Sequence, residues 1–379
     1  MDEVHTYIQG ILRNLAKLGV LQVIFESDLP LADAVTLIER VWQRLDVPVD
    51  PLIGQGGVAA SPKGPVITVH GLKSKEQATD LLKRLAEGIA AEGKGGSLRP
   101  IARISTPVRS ASAQLFGVVA GLCVEGHADP VRPTVWVPAP GAMEALIETA
   151  LDWCMITGGT HYVSVAMASY KCTADQRRAL VITGLSSDSA TSLTCTAGPE
   201  EIRYVSFGYE GTVYFGRLDP QNSWEPALSD LTDVVASLAD HLQYAAIRRS
   251  RLQKAQWFNF LDHWWPERPY LEYGMSQAGR VVADTYIPDA FGAQLLGPGH
   301  KLPPLSEQWH SRPVGSDSTL LTHTDPKAWY EGAVGSVPDT QILKQARREL
   351  APLLLTDERA QAGHKQQFAH APPPRLRLP

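Results

Sequence analysis

The chain has 379 residues, 44% of them hydrophobic and 20% charged, with a formal net charge of −5. These are ordinary globular values with length enough for a sizeable core; no run approaches the roughly 20 consecutive apolar residues of a membrane span, and the charge argues against a protein built to coat nucleic acid. Cys123, Cys154, Cys172 and Cys195 form no C-x-x-C pair and have no nearby His at zinc spacing, so they read as free thiols and neither metal nor cofactor is expected.

In chain order, Val4, Ile8, Ile11, Leu12, Leu15 and Leu18 fall at helical spacing before the β-rich run Val20 to Phe25. A second helix follows Asp28, with Ala34, Val35, Ile38, Val41, Trp42 and Leu45 as its apolar face, and Pro48 ends it. The strand Val66 to His70 leads to Ser74-Lys75-Glu76-Gln77, a capping pair that opens a helix reaching about Ala91. The stretch from Ala91 to Ser97 is a connector by composition, and Gly126 to Pro130 is a second break.

Thr134 to Val137, a helix from about Ala142 to Trp153, and a strand from His161 to Tyr170 read as a strand-helix-strand unit, with a right-handed crossover if the strands pair in parallel. Ile202 to Phe207 and Thr212 to Leu218, joined through Gly208-Tyr209-Glu210-Gly211, read as a hairpin. Leu231, Val234, Val235, Leu238, Leu242 and Ala245 continue a 3.6-residue period to Ile247. Extended segments recur around Arg280 to Tyr286 and Thr319 to His323 with a Gly- and Pro-rich loop between them, and Ser336-Val337-Pro338-Asp339 opens a last helix.

The expected fold class is α+β, with mixed, largely antiparallel sheets and packed helices in two domains. Residues 1–125 form an N-terminal α/β domain, and residues 126–360 a C-terminal α+β domain with a long helical region over 226–265. Residues 361–379 are a disordered proline-rich tail. Met1-Asp2-Glu3 carries acids where a signal peptide carries Lys or Arg, so a cytoplasmic protein without a membrane partner is expected.

No complete catalytic motif is present. Gly88 to Gly95 follows a helix and has Gly95 where a P-loop has Ser or Thr, and Thr157 to His161 lies between helix and strand, so both read as connectors. Gly274-Met275-Ser276-Gln277-Ala278-Gly279 is a partial nucleophile elbow, with Asp284, His300 and His323 downstream, but the strand-like Arg280 to Ala283 follows where a helix is required. Ser186 follows the apolar run Ala179 to Ile182. His263, His300, His310 and His323, with Asp262, Asp284, Asp289, Asp317 and Asp325, show no i, i+3 or i, i+4 metal pairing.

The densest local feature is Trp257-Phe258-Asn259-Phe260-Leu261-Asp262-His263-Trp264-Trp265-Pro266-Glu267-Arg268-Pro269-Tyr270. It follows Arg248, Arg249, Arg251 and Lys254, read as the solvated end of a helix. Trp257, Phe260, Leu261 and Trp264 would share one helical face, which is the pattern of a core anchor, but adjacent Trp264 and Trp265 point about 100° apart and cannot both face it. Trp257, Asp262, His263, Trp264, Trp265 and Tyr270, with Arg248 and Arg251, are therefore the candidate partner-binding residues.

The stretch from Trp265-Pro266 through Tyr286-Ile287-Pro288-Asp289-Ala290-Phe291-Gly292-Ala293-Gln294-Leu295-Leu296-Gly297-Pro298 resembles a pattern in immunity-type proteins of bacterial toxin systems, in which a strand leads into an aromatic or glycine position and then a Leu-Gly-Pro turn. The resemblance implies a bacterial defence protein that binds and blocks a toxin. The expectation is a non-catalytic, cytoplasmic protein that works through protein–protein contacts. One alternative is a hydrolase using Ser276 or an acid/base set from Asp262, His263, Asp284 and His300. A third is a single-stranded nucleic-acid binder using the basic-aromatic segment.

Overall fold

The computed structural model describes residues 4–18, 21–45, 47, 56–59, 61, 63–69, 72, 74–101, 116–128, 136–165, 168–186, 191–198, 201–208, 211–218, 224–251, 283–331, 339–356, 358–359 and 362. The chain is an α+β protein whose large sheets are mostly antiparallel. It divides into two compact units, Met1–Ile104 with Tyr162–Thr191, and Ser105–His161 with Ser192–Pro379. The expected tail over 361–379 lies, apart from residue 362, outside the described residues. Among the described residues no helix is long and apolar enough to cross a membrane.

In the first unit, strands β1 (Val4–Thr6), β2 (Leu21–Glu26), β3 (Gly56–Ala59), β4 (Val66–Val69) and β5 (Gly96–Pro100) form a sheet in the order β1-β5-β2-β4-β3. β1 runs parallel to β5, and the other pairs are antiparallel. Helices α1 (Ile8–Leu18), α2 (Leu31–Gln43) and α3 (Lys75–Ala91) bury their apolar stripes in one core with Val23, Phe25, Ile67, Val69 and Leu98 of the sheet. On α3 the stripe is Ala78, Leu81, Leu82, Leu85 and Ile89. The Ser74 hydroxyl accepts from the Gln77 backbone N–H at 3.2 Å, the expected cap. Val4, read from its spacing as helical, belongs to β1, so the first helix begins at Ile8.

In the second unit, β6 (Phe116–Val124), β7 (Gly126–Ala128) and β8 (Trp136–Pro138) precede helix α4 (Ala142–Trp153), at the expected position. Later in the chain, β9 (Thr160–Val165) passes at Tyr162 into the first unit, which also holds β10 (Ala168–Cys172) and α5 (Arg177–Ser186), and the second unit resumes within β11 (Thr191–Thr196). The expected strand-helix-strand crossover is corrected here: β8 pairs with β7 in its own two-stranded sheet, and β9 belongs to another sheet. The hairpin stands as expected, β12 (Ile202–Phe207) pairing antiparallel with β13 (Thr212–Leu218).

Helix α6 (Trp224–Ser237) gives way to a 3-10 turn at Ala239–His241 and then to β14 (Leu242–Arg251). The long helical region expected over 226–265 is therefore corrected, since its second part up to residue 251 is a strand. The spacing misled because β14 is central: Leu242 and the run from Tyr244 to Arg249 are buried on both faces, and such a run has no period of its own. The Gly- and Pro-rich stretch after residue 287 holds β15 (Ala293–Leu296) and β16 (Trp309–Val314) before β17 (Ser318–His323). Helices α7 (Lys327–Tyr330) and α8 (Thr340–Glu349) follow, and α8 is capped by Asp339, whose carboxylate accepts from the Gln341 and Ile342 N–H groups, so Asp339 takes the role expected of Ser336.

The strands of this unit run β11-β12-β13-β6-β14-β15-β17-β16. At the last edge, the Thr324 N–H donates to the Gln308 carbonyl, which makes Trp309↔His323 a non-hydrogen-bonded pair and sets the alternation along the register. His310, Arg312 and Val314 then bond inward to β17, while Trp309, Ser311 and Pro313 point their backbone groups outward. The Trp309 N–H is taken by the Ser306 carbonyl and Pro313 has none, so Ser311 offers this edge's one outward donor. Pro313→Val restores a donor, and sedimentation velocity should show more concentration-dependent self-association than in the parent; identical sedimentation would refute the edge-guarding role.

Candidate functional site

Trp257, Asp262, His263, Trp264, Trp265, Tyr270 and Ser276 lie outside the described residues. Arg251 ends β14 opposite Phe116. Arg248 and Arg249 are each 5% exposed, which corrects the solvated helix end expected there. Register explains their placement. Arg203↔Arg217, Arg217↔Val118 and Arg249↔Val118 make one cross-strand row, and Tyr204↔Gly216, Gly216↔Val119 and Arg248↔Val119 make the row on the opposite face.

On the first face Arg217 and Arg203 approach the Asp230 carboxylate of α6 at 2.5 and 3.6 Å. Arg203 also lies over the Trp153 ring, 5.0 Å from its centroid. Arg249 donates to the Tyr330 carbonyl at 3.0 Å, and the Tyr330 hydroxyl donates to the Ile247 carbonyl at 2.9 Å. Trp224 stacks on Tyr330 at 5.4 Å, and burial pushes the Tyr330 pKa up, so it stays a phenol. On the other face Tyr204 lies over Gly216, where a Cβ would come within 2.0 Å of the Tyr204 ring. Here glycine makes room for an aromatic.

The opposite face continues along β14 and β15 as a polar cluster. The Tyr244 hydroxyl donates to the Gln294 side-chain oxygen at 3.3 Å, and the His300 ring lies 6.0 Å from that of Tyr244. Burial drives the Tyr244 pKa well above its ordinary value, so the hydroxyl keeps its proton. Asp289, with 0% exposure, receives both forks of Arg347 at 2.9 and 2.8 Å and the Ala290 N–H at 2.8 Å. His300 Nδ1 sits 3.3 Å from the Gly297 carbonyl, while Asp284 accepts from the Thr285 hydroxyl at 3.0 Å. Burial lowers the His300 pKa, opposed by the Gly297 carbonyl, the Asp284 charge and the Tyr286 carbonyl.

A second group lies at the β16 end. Trp309, His323 and Trp329 meet with ring centroids 5.1, 5.7 and 6.3 Å apart. His323 Nδ1 accepts from the Asp325 N–H at 3.1 Å, so the neutral ring carries its proton on Nε2, and burial lowers its pKa. Glu349 accepts from Trp309 Nε1 and the Ser306 hydroxyl, both at 3.0 Å. Burial raises its pKa, but hydrogen bonds from Gln345, Ser306 and Trp309 together outweigh this and lower it.

Among the described residues no group of three or more His, Cys, Asp or Glu side chains could hold a metal ion. Cys123, Cys154 and Cys195 are buried free thiols, and Cys172 is a partly buried one. Ser186 ends helix α5, so the run Ala179 to Ile182 is helix and offers no strand-to-turn elbow. Tyr244, Gln294, Trp309, Trp329, Arg347 and Glu349 were not singled out by sequence. Gln294, inside Ala293-Gln294-Leu295-Leu296, carried a readable signal, because a polar residue within an apolar strand must find a partner.

Removing one partner of the Asp289–Arg347 pair strands a charge. Asp289→Ala should cost about 3 kcal/mol in urea unfolding, and Asp289→Leu with Arg347→Met should recover most of it; an equal loss in the double variant would contradict this. Because the Glu349 pKa is lowered on folding, its contribution is present above the ordinary carboxylate range and lost as pH falls through the folded value. Glu349→Gln should flatten the acid limb of the stability profile, and an unchanged limb would count against the Trp309–Glu349 contact.

No protein-family model matches the chain, and no curated protein matches it. Among solved structures, the chain is similar to the Pseudomonas aeruginosa T6SS protein PA0821, with a TM-score of 0.38 and 12% identity over 66% of this chain and 78% of that chain.

Proposed function

We propose that this chain is a non-catalytic cytoplasmic binding protein that acts through protein–protein contacts, with Trp257, Asp262, His263, Trp264, Trp265 and Tyr270 at the partner surface. The observation that carries this reading is the route of the chain between β14 and β15. These strands are antiparallel neighbours, Ile247 opposite Ala293, and two residues suffice to join such a pair. Residues 252–292 lie between them instead, and connections much longer than their pairing requires are usually functional or serve as linkers.

The orientation of His300 favours binding over the hydrolase alternative. A catalytic His in a triad donates Nδ1–H to a carboxylate. Here Nδ1 faces the Gly297 carbonyl, and the Asp284 carboxylate is engaged by Thr285. Burial of Arg248 and Arg249 removes two cations from the basic-aromatic surface that nucleic-acid binding requires, leaving Arg251 and Lys254 as the basic candidates flanking the run. The resemblance around residues 286–298 supports a bacterial immunity or defence role, with a toxin as the protein partner. Its strand and turn correspond to β15 and the Gly297-Pro298 corner, where the Gly297 N–H donates to the Gln243 carbonyl at 3.1 Å.

Capture with the full chain from its native cells should recover a protein, and the capture should persist after nuclease treatment. Trp264→Ala and Trp265→Ala should each weaken that complex by about 2 kcal/mol or more with no change in the unfolding midpoint. A loss of about 3–5 kcal/mol of fold stability at both positions would assign the run to the core and remove the proposal.

A further inference from the structure

Gln294 and His300 are buried, with 0% and 8% exposure, and the Nε2 atom of each lacks a hydrogen-bond partner among the described residues. Their senses are complementary. The Gln294 oxygen is occupied by the Tyr244 hydroxyl, which turns the amide so that its N–H protons are available elsewhere. A carbonyl can only accept, so the contact with Gly297 puts the neutral His300 proton on Nδ1 and leaves a lone pair on Nε2. The two side chains stand around one aromatic, since Tyr244 bonds Gln294 and lies ring against ring with His300.

We propose that Gln294 and His300 form a buried site for one hydroxylic guest, a water molecule or the hydroxyl of a small alcohol, which accepts from the Gln294 amide and donates to His300 Nε2. The chemistry selects this class. A carbonyl has nothing to donate to the imidazole lone pair, an ammonium or metal cation would meet the positive end of the Gln294 amide, and an anion would face the His300 lone pair. A hydroxyl carries donor and acceptor on one oxygen, and buried polar groups of this kind are commonly satisfied by ordered water.

A crystal structure of the full chain, at a resolution that shows ordered solvent, tests the site. The expected result is one density peak within about 2.7–3.2 Å of both Nε2 atoms, compact for water and continuous with further atoms for an alcohol. The ¹⁵N shifts of His300 should report the Nδ1–H tautomer, and Gln294→Leu should abolish the peak while Tyr244 and His300 stay in place. No bridging peak, a protein group in its position, direct contact between the two Nε2 atoms, or the Nε2–H tautomer overturns the proposal. The peak and tautomer are read on the unaltered protein, so failure of Gln294→Leu to fold leaves the test intact.

Discussion

The pairing of β6 with β14 is the constraint on which the second unit depends. It runs from Leu242↔Val124 to Arg251↔Phe116, with a bulge between Leu242 and Tyr244 that shifts the register once. A slip of one residue would exchange faces along the whole strand. Arg249 would leave the Tyr330 carbonyl, Arg248 would leave the Tyr204 face, and Tyr244 would leave Gln294. Two buried guanidinium groups on opposite faces therefore penalise every neighbouring register, because each misplaced charge would lose its partners in a low-dielectric setting.

From that pair outward, the polar groups of the second unit are joined over long sequence separations. Asp289 holds Arg347 of α8, Glu349 holds Trp309 of β16, and Arg249 and Ile247 hold Tyr330 of α7. These bonds tie α7 to β14 and α8 to β16 and to the segment before β15, so both helices are located by directional contacts as well as by apolar burial of Trp329, Leu343 and Ala346. This division is physically sensible: apolar burial has little directionality, whereas a bidentate Arg–carboxylate pair fixes angle and register together.

Local patterns made part of this legible in the sequence. The Ser74 cap and the apolar stripe of α3, the limits of α4, and the β12–β13 hairpin are each written within a few consecutive residues. β14 was not legible, because burial on both faces erases the alternation that marks a strand, and its first residues extend the helical spacing of α6 by coincidence. β15 and β16 were hidden in a stretch whose Gly and Pro content reads as loop. The polar clusters were illegible for another reason: a single sequence does not say that residue 294 will meet residue 244, or that residue 289 will meet residue 347.

The way the second unit closes its β16 edge bears on where it can meet a partner. A sheet recruits strands at an edge through outward N–H and C=O groups. At β16 the Trp309 N–H is already spent on Ser306 and Pro313 supplies none, so a docking strand would find one donor, at Ser311. One donor does not hold a strand in register against water. Recognition by side chains is then the more economical route, and side chains with large apolar area and few rotatable bonds give the most contact for the least lost entropy. Trp257, Trp264, Trp265 and Tyr270 are residues of that kind, and they lie in the stretch of chain that the β14–β15 pairing does not require.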